Sequence, residues 1–261
     1  MIDLANGVAF WSLPAFLLLD LAVRGRRFET TRWWRLRASL VTVFTFFWAT
    51  AVAVFWGERL AGVALLDGSV LGTWGGAAAG ILVYELFHYG YHRLVHRSDR
   101  LWRIHQMHHS AEANDAFGAN YIHPLDAAAF VTIASIVFFP LLGLTPEAGA
   151  IAGAFVAFNA VFQHANIRTP RWLGYIIQRP ESHQVHHGVH RWNYSDLPLV
   201  DMLFGTFRNP ARYEGTVGFY RGASARIPEM LVGLDVTRPG AAADVEVRTP
   251  RRRAVVTRSI L

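Results

Sequence analysis

Histidine is the residue type in this chain with the means and the spacing to do chemistry. All 12 histidines lie between His88 and His190. Most fall into three clusters: His88, His92 and His96; His105, His108 and His109; His183, His186 and His187. On a helix of about 3.6 residues per turn, positions three and four apart share a face, so each cluster turns its rings toward one side. The pair His92 and His96 offers two nitrogens to one cation. In HQMHH and HQVHH the adjacent rings diverge enough to serve two different ions. Together His92, His96, His105, His108, His109, His183, His186 and His187 supply eight imidazoles. One tetrahedral ion takes about four ligands, so this set suits two ions with positions left open for oxygen.

The remaining histidines read differently. His164, in FQHAN directly after an apolar run, is either a ninth ligand or a residue that orients one. His88 continues the first stripe at its membrane end and reads as a hydrogen-bonded residue at a helix interface. Glu85 and His88 form ExxH, a spacing used by di-iron four-helix bundles, but that scaffold needs a second copy and none follows. His123, before Pro124, and His190, three residues past a cluster, read as structural or as supports for ligands.

Composition excludes several alternatives. With zero Cys there is no thiolate ligand, disulfide or iron-sulfur cluster. No HExxH, GxSxG, GxGxxG after a strand or P-loop occurs. The net charge of +6 comes from a chain whose basic residues are all Arg, and many of these flank apolar segments instead of forming a base-reading stripe, which argues against nucleic acid.

The elements that must position these rings are apolar helices. Hydrophobic residues make up 52% of the chain and mean hydropathy is positive, which points to an all-α, multi-pass membrane bundle of four to five spans. Runs at residues 5–23, 38–56 and 70–91 are long enough to cross a bilayer, and the first reads as a retained span with no cleavage signal. Arg24, Arg26, Arg27, Arg32, Arg35 and Arg37 follow the first run, with Trp33 and Trp34 expected as interfacial anchors. The basic loop belongs on the cytoplasmic side, and the third run returns the first His cluster to that side beside Arg93, Arg97, Arg100 and Arg103. Its Gly/Ala-rich middle should let another helix approach closely. Residues 125–144 and 148–162 form a further apolar pair, crossing or re-entrant, after which His164 and the third cluster again face the cytoplasm. The expected division is N-terminal helices at 1–83, a catalytic region at 84–207 forming a helical cap, and a C-terminal segment at 208–261. Beyond about Val236 that segment reads as a mobile basic tail.

Residues 85–207 resemble the fatty acid hydroxylase superfamily, also called the sterol desaturase family, of integral-membrane non-haem di-iron enzymes. The resemblance rests on YHRLVH, LWRIHQMHHSAEAN, YIHPLD, FQHAN and SHQVHHGVHRWNYSDLPLVDMLFGTF in that order. It implies that His92, His96, His105, His108, His109, His183, His186 and His187 bind two irons, with His164 joining them. It further implies O2 as co-substrate, electrons from a separate reductase, ferredoxin or cytochrome, and hydroxylation of an unactivated C–H bond in a lipid. An acyl chain in a sphingolipid, ornithine-lipid-like or sterol-like molecule is the expected substrate class, and a bacterial inner membrane the expected location. Asp115, Asn114, Asn193 and Asp196 are expected to orient the rings. Glu85 stands where the family usually has Asp, Gly90 where an aromatic is usual, and Ser195 where Gly often follows Asn-Tyr. A desaturase on the same centre is the enzymatic alternative. A membrane metal-binding or transport protein is the alternative from another class.

Overall fold

The computed structural model describes residues 1–23 and 25–239. Arg24 and the basic tail, including Arg251 to Arg253, lie outside the described residues. Among those described the chain is helical, with no strand. Helix α1 runs Ile2–Ala22, α2 Trp34–Arg59 and α3 Gly72–Val95. Next come α4, Asp99–His109, and α5, Pro124–Ile136, which widens into a π-helical turn at Val137–Leu141. Helix α6 runs Pro146–Phe162 and α7 Pro180–Val189, and the short α8 and α9 cover Pro198–Leu203 and Ile227–Leu231.

Four helical stretches, 2–22, 34–59, 68–95 and 124–141, are long and apolar enough to cross a membrane, whereas α6 is shorter. Their outward faces carry exposed Leu, Val, Phe and Trp, as lipid-facing helices do. Helix α6 packs on both α1 and α3, and α2 packs on α5. The α3–α6 seam uses small residues. A Cβ on Gly76 would stand 3.0 Å from Ala148 Cβ and one on Gly80 3.3 Å from Ala152 Cβ, both on α6, so the two glycines let α6 approach closely.

Two polar residues in apolar helices tie the bundle to the polar part. Asp20, buried near the end of α1, accepts the backbone N–H of Ala116 (2.6 Å) and of Asn166 (2.8 Å). Trp34, expected at an interface, is instead 2% exposed, while Trp33 is 56% exposed. The Trp34 indole donates to Asp115 at 3.2 Å and packs edge-on against Tyr121. A doublet in sequence hides this division, because only the start of α2 decides which indole turns inward.

The segment after α8 is integral as far as Val236. Met230 and Val236 are fully buried against Trp34 and Met107. Gln106 on α4 donates to the Leu234 carbonyl and accepts from Val236 N–H.

Candidate metal centre

The rings predicted to act together do converge, and they sort into two groups. Donor nitrogens of His92, His96, His105, His109 and His186 lie within 4.8 Å of one another, as do those of His108, His164, His183 and His187. Each HxxHH run is split the same way. Helix α4 sends His105 and His109 to the first group and His108 to the second; α7 sends His183 and His187 to the second and His186 to the first. His164, at the end of α6, completes the second group, so the chain brings it in among the candidate donors.

Within the second group, successive Nε2 atoms stand 3.0 to 3.3 Å apart: His183 to His164, His164 to His108 and His187, and His187 to His183. In the first, His105 Nε2 lies 3.2 Å from His92 Nε2 and 3.1 Å from His109 Nε2. Tetrahedral ligands about 2.0–2.1 Å from an ion stand roughly 3.3 Å apart, so the spacing is that of a coordination shell.

Outer hydrogen bonds fix which nitrogen carries the lone pair. His92 Nδ1 donates to the Tyr194 carbonyl (2.7 Å), His186 Nδ1 to that of Trp192 (2.8 Å), and His164 Nδ1 to that of Ala160 (2.7 Å). A carbonyl only accepts, so Nδ1 must hold the proton and Nε2 is left as a bare lone pair. His186 Nε2 is buried with no hydrogen-bond partner, a lone pair free to bind an ion. Burial and neighbouring rings push His96, His108, His109, His183, His186 and His187 well below the usual histidine range, and burial brings His164 down to about 4. Neutral imidazole is the form that binds metal. The donor set therefore fits two ions. Imidazole suits iron, zinc, copper and nickel alike.

The loop after α7 is shaped to aim those carbonyls. His190, Trp192 and Asn193 all have positive φ, at 54°, 71° and 50°, which non-glycine residues adopt rarely and at a cost. The Asn193 amide holds the turn by donating to the carbonyls of Ser182 and Arg208. His190 itself lies with Nδ1 3.1 Å from His109 Nδ1, supporting a ring of the first group. His123 caps α5 by accepting the Leu125 N–H. His88 stays out of both groups.

The residues expected to orient the rings bond to other groups instead. Asp115 binds Trp34 and Gly118, Asn114 donates to the Gln163 carbonyl, and Asp196 accepts from the Gln163 amide. None of these bonds reaches an imidazole. The carboxylate that does is Asp126, in the first turn of α5, whose Oδ2 lies 2.7 Å from His105 Nδ1 and whose Oδ1 accepts from Tyr91. Sequence reasoning missed it. The signal was the cap at His123 and Pro124, which places Asp126 in a first helical turn facing α4.

A cavity of about 190 Å³ adjoins both groups. His92 and His105 line it from one group and His108, His164 and His183 from the other, together with the apolar Ala49 of α2, Ala127, Phe130 and Val131 of α5 and Val156 of α6, and the polar Thr45, Tyr84, Asn120 and Gln163.

The fatty acid hydroxylase family model matches residues 77–206, which contain every ring of both groups. The chain belongs to the fatty acid hydroxylase superfamily. Its curated relatives include an ornithine lipid hydroxylase of Rhizobium tropici, 32% identical over 144 residues, or 52% of this chain and 43% of that protein. The sphinganine C4-monooxygenase 1 of Arabidopsis thaliana is 27% identical over 49% of this chain and 52% of its own length. Human alkylglycerol monooxygenase is 30% identical over 52% of this chain and 30% of its own length. The match thus spans about half or less of each relative. No solved structure matches the chain significantly.

Proposed function

We propose that this fatty acid hydroxylase homologue is a membrane-bound, di-iron, O2-dependent oxidoreductase that hydroxylates an unactivated C–H bond in a lipid acyl chain. The observation that carries this reading is the shared cavity, lined by apolar side chains from three helices and by imidazoles of both groups, with Thr45, Tyr84, Asn120 and Gln163 as further polar lining. A hydrophilic substrate would find no partner along Ala49, Ala127, Val131 and Val156, whereas a methylene chain gains about 0.8 kcal/mol for each CH2 buried. The named activities of the relatives, on ornithine lipid, sphinganine and alkylglycerol, support a lipid substrate and hydroxylation.

In this reading His92, His96, His105, His109 and His186 hold one iron and His108, His164, His183 and His187 the other. Bound there, the pair would supply dioxygen activation, using electrons from a separate donor protein. The chain's own contribution is positional. The carbonyls of Tyr194, Trp192 and Ala160 set the ring tautomers, and Asp126 holds His105 against α5. Phe130, packed edge-on to His88 and Tyr91 with centroids 5.1 Å away, forms an apolar wall that excludes water from the C–H bond. The Arg residues at 26–37 and 93–103 flank the ends of α1, α2 and α3 that lead to the centre, a distribution that supports a cytoplasmic centre.

The test is to purify the full chain in detergent, load it with ferrous iron, and add O2, a reductant and a bacterial lipid extract. A product heavier by one oxygen, absent without O2 and absent in His108→Ala, is expected. Loss of two hydrogens instead would make the chain a desaturase, and iron loading without O2 consumption would refute an oxygenase altogether.

A further inference from the structure

One group of donor side chains is left unused by the two imidazole sets. Glu85 is fully buried on α3. Its Oε2 accepts from Ser195 Oγ (2.6 Å), Asp196 N–H (2.9 Å) and Leu197 N–H (3.3 Å), while its Oε1 has no partner at all. One turn on, His88 Nδ1 lies 3.4 Å from Glu85 Oε2, with its ring stacked between Tyr84 and His92. Asp196, 4% exposed, comes across from the loop after α7. Donor atoms of Glu85, His88 and Asp196 lie within 4.8 Å of one another. The ExxH spacing that had no second copy in the sequence thus receives its second carboxylate from a separate segment.

The two carboxylates have neutral donors but only one basic side chain, His88, within bonding reach. The amides of Asn159 and Gln163 point their N–H groups at the Asp196 carbonyl and carboxylate, and the oxygens of both amides are then left buried without a partner. No arginine forms an ion pair with either carboxylate among the described residues, and His88 is the one basic side chain bonded to Glu85. Two buried carboxylates beside one imidazole, ringed by unpaired acceptor oxygens, are an incomplete charge set. A divalent ion completes it. Donors on opposite sides of a first-row ion stand about 4 Å apart, so small side-chain shifts close the present spacing.

We propose that Glu85, His88 and Asp196 form a third metal site, distinct from the two imidazole groups, that takes a divalent first-row cation. Two carboxylate oxygens and one imidazole nitrogen favour Mn2+ or Fe2+ over the softer ions. His88 and Asp196 also line the cavity, so the ion sits in its wall one helical turn deeper than His92. It neutralises the carboxylates and fixes the ring on which His92 stacks.

The test uses wild-type full chain crystallised in detergent with Mn2+, read by anomalous scattering. A peak between Glu85, His88 and Asp196, separate from any peak at the imidazole groups, is expected. Solution metal analysis should then fall from about three ions per chain to about two in both His88→Phe and Asp196→Asn. A featureless anomalous map at that position under saturating Mn2+, or equal metal content in wild type and both variants, overturns the proposal. A variant that loses every ion has misfolded, and the wild-type map then decides. The map also separates this site from the proposed hydroxylase centre: His108→Ala empties an imidazole group and leaves the Glu85 peak in place.

Discussion

The two imidazole groups are made of one residue type and held in different ways. In the first, far nitrogens are tied down for His92, His105, His186 and His109, by Tyr194, Asp126, Trp192 and His190 respectively, and His96 is the one ring with no partner at either nitrogen. In the second, His164 is tied to Ala160, whereas Nδ1 of His108 and of His183 is buried with no partner. A tied ring has its tautomer and orientation set before an ion arrives, and an untied ring must adopt them on binding. The second group is instead positioned from behind, by loops. Asn114 donates to the Gln163 carbonyl, Asp20 holds Ala116 and Asn166, and Trp34 holds Asp115. The first group is therefore held mainly by hydrogen bonds to its rings, the second mainly by packing of the backbone that carries them.

The strongest way to break this comparison is His108→Ala. It should empty the second group and reduce product formation more than about 100-fold, beyond the cost of losing an outer hydrogen-bond partner, while the first group keeps its ion by X-ray absorption. Departure of both ions together would show one cooperative centre.

A pH series sharpens the comparison from the loop side. Burial pushes Asp115 up to about 6 from an ordinary value of 3.8. The native state then binds more protons than the unfolded one between these values, so this group's contribution falls as pH rises from about 4 to 6 and stays level above. Asp115→Asn removes that slope. In detergent melts, wild type should lose up to about 3 kcal/mol relative to the variant between pH 4 and 7, and parallel curves would remove Asp115 from the account.

Asp126→Asn addresses the ring side. It should weaken iron binding in the first group by about 10- to 100-fold and leave the second unaffected, measured by metal retention against a chelator. Equal loss from both groups would contradict independent anchoring. The smallest effect belongs to Trp34→Phe, which deletes the donor to Asp115 and should cost about 1–2 kcal/mol in the melting transition, with iron content unchanged.

Much of the architecture was legible because its signals are local. Apolar runs gave the spans within a few residues, and the i, i+3, i+4 spacing gave shared faces for His105, His108 and His109 and for their counterparts on α7. The small-residue middle of α3 announced the close approach of α6. The unread features depend on partners distant in sequence. Which ring of a doublet joins which group follows from how α4 faces α7, which begins about 70 residues further along, and has no local signature. Asp126 meets His105 only because α5 folds over α4. Trp34 could not be told from Trp33 without the start of α2, and Glu85 could not be credited with a second carboxylate until the loop carrying Asp196 was in place.

The buried acid near the end of α1 has a consequence for biogenesis. Its oxygens are claimed by amides 96 and 146 residues further along, so α1 leaves the translating ribosome with a carboxylate that nothing yet satisfies. Until the chain past Asn166 has been made, that helix must keep Asp20 in water or protonated. Although it precedes all its partners in synthesis, α1 is locked among the last, and its docking reports that the polar half of the protein has assembled.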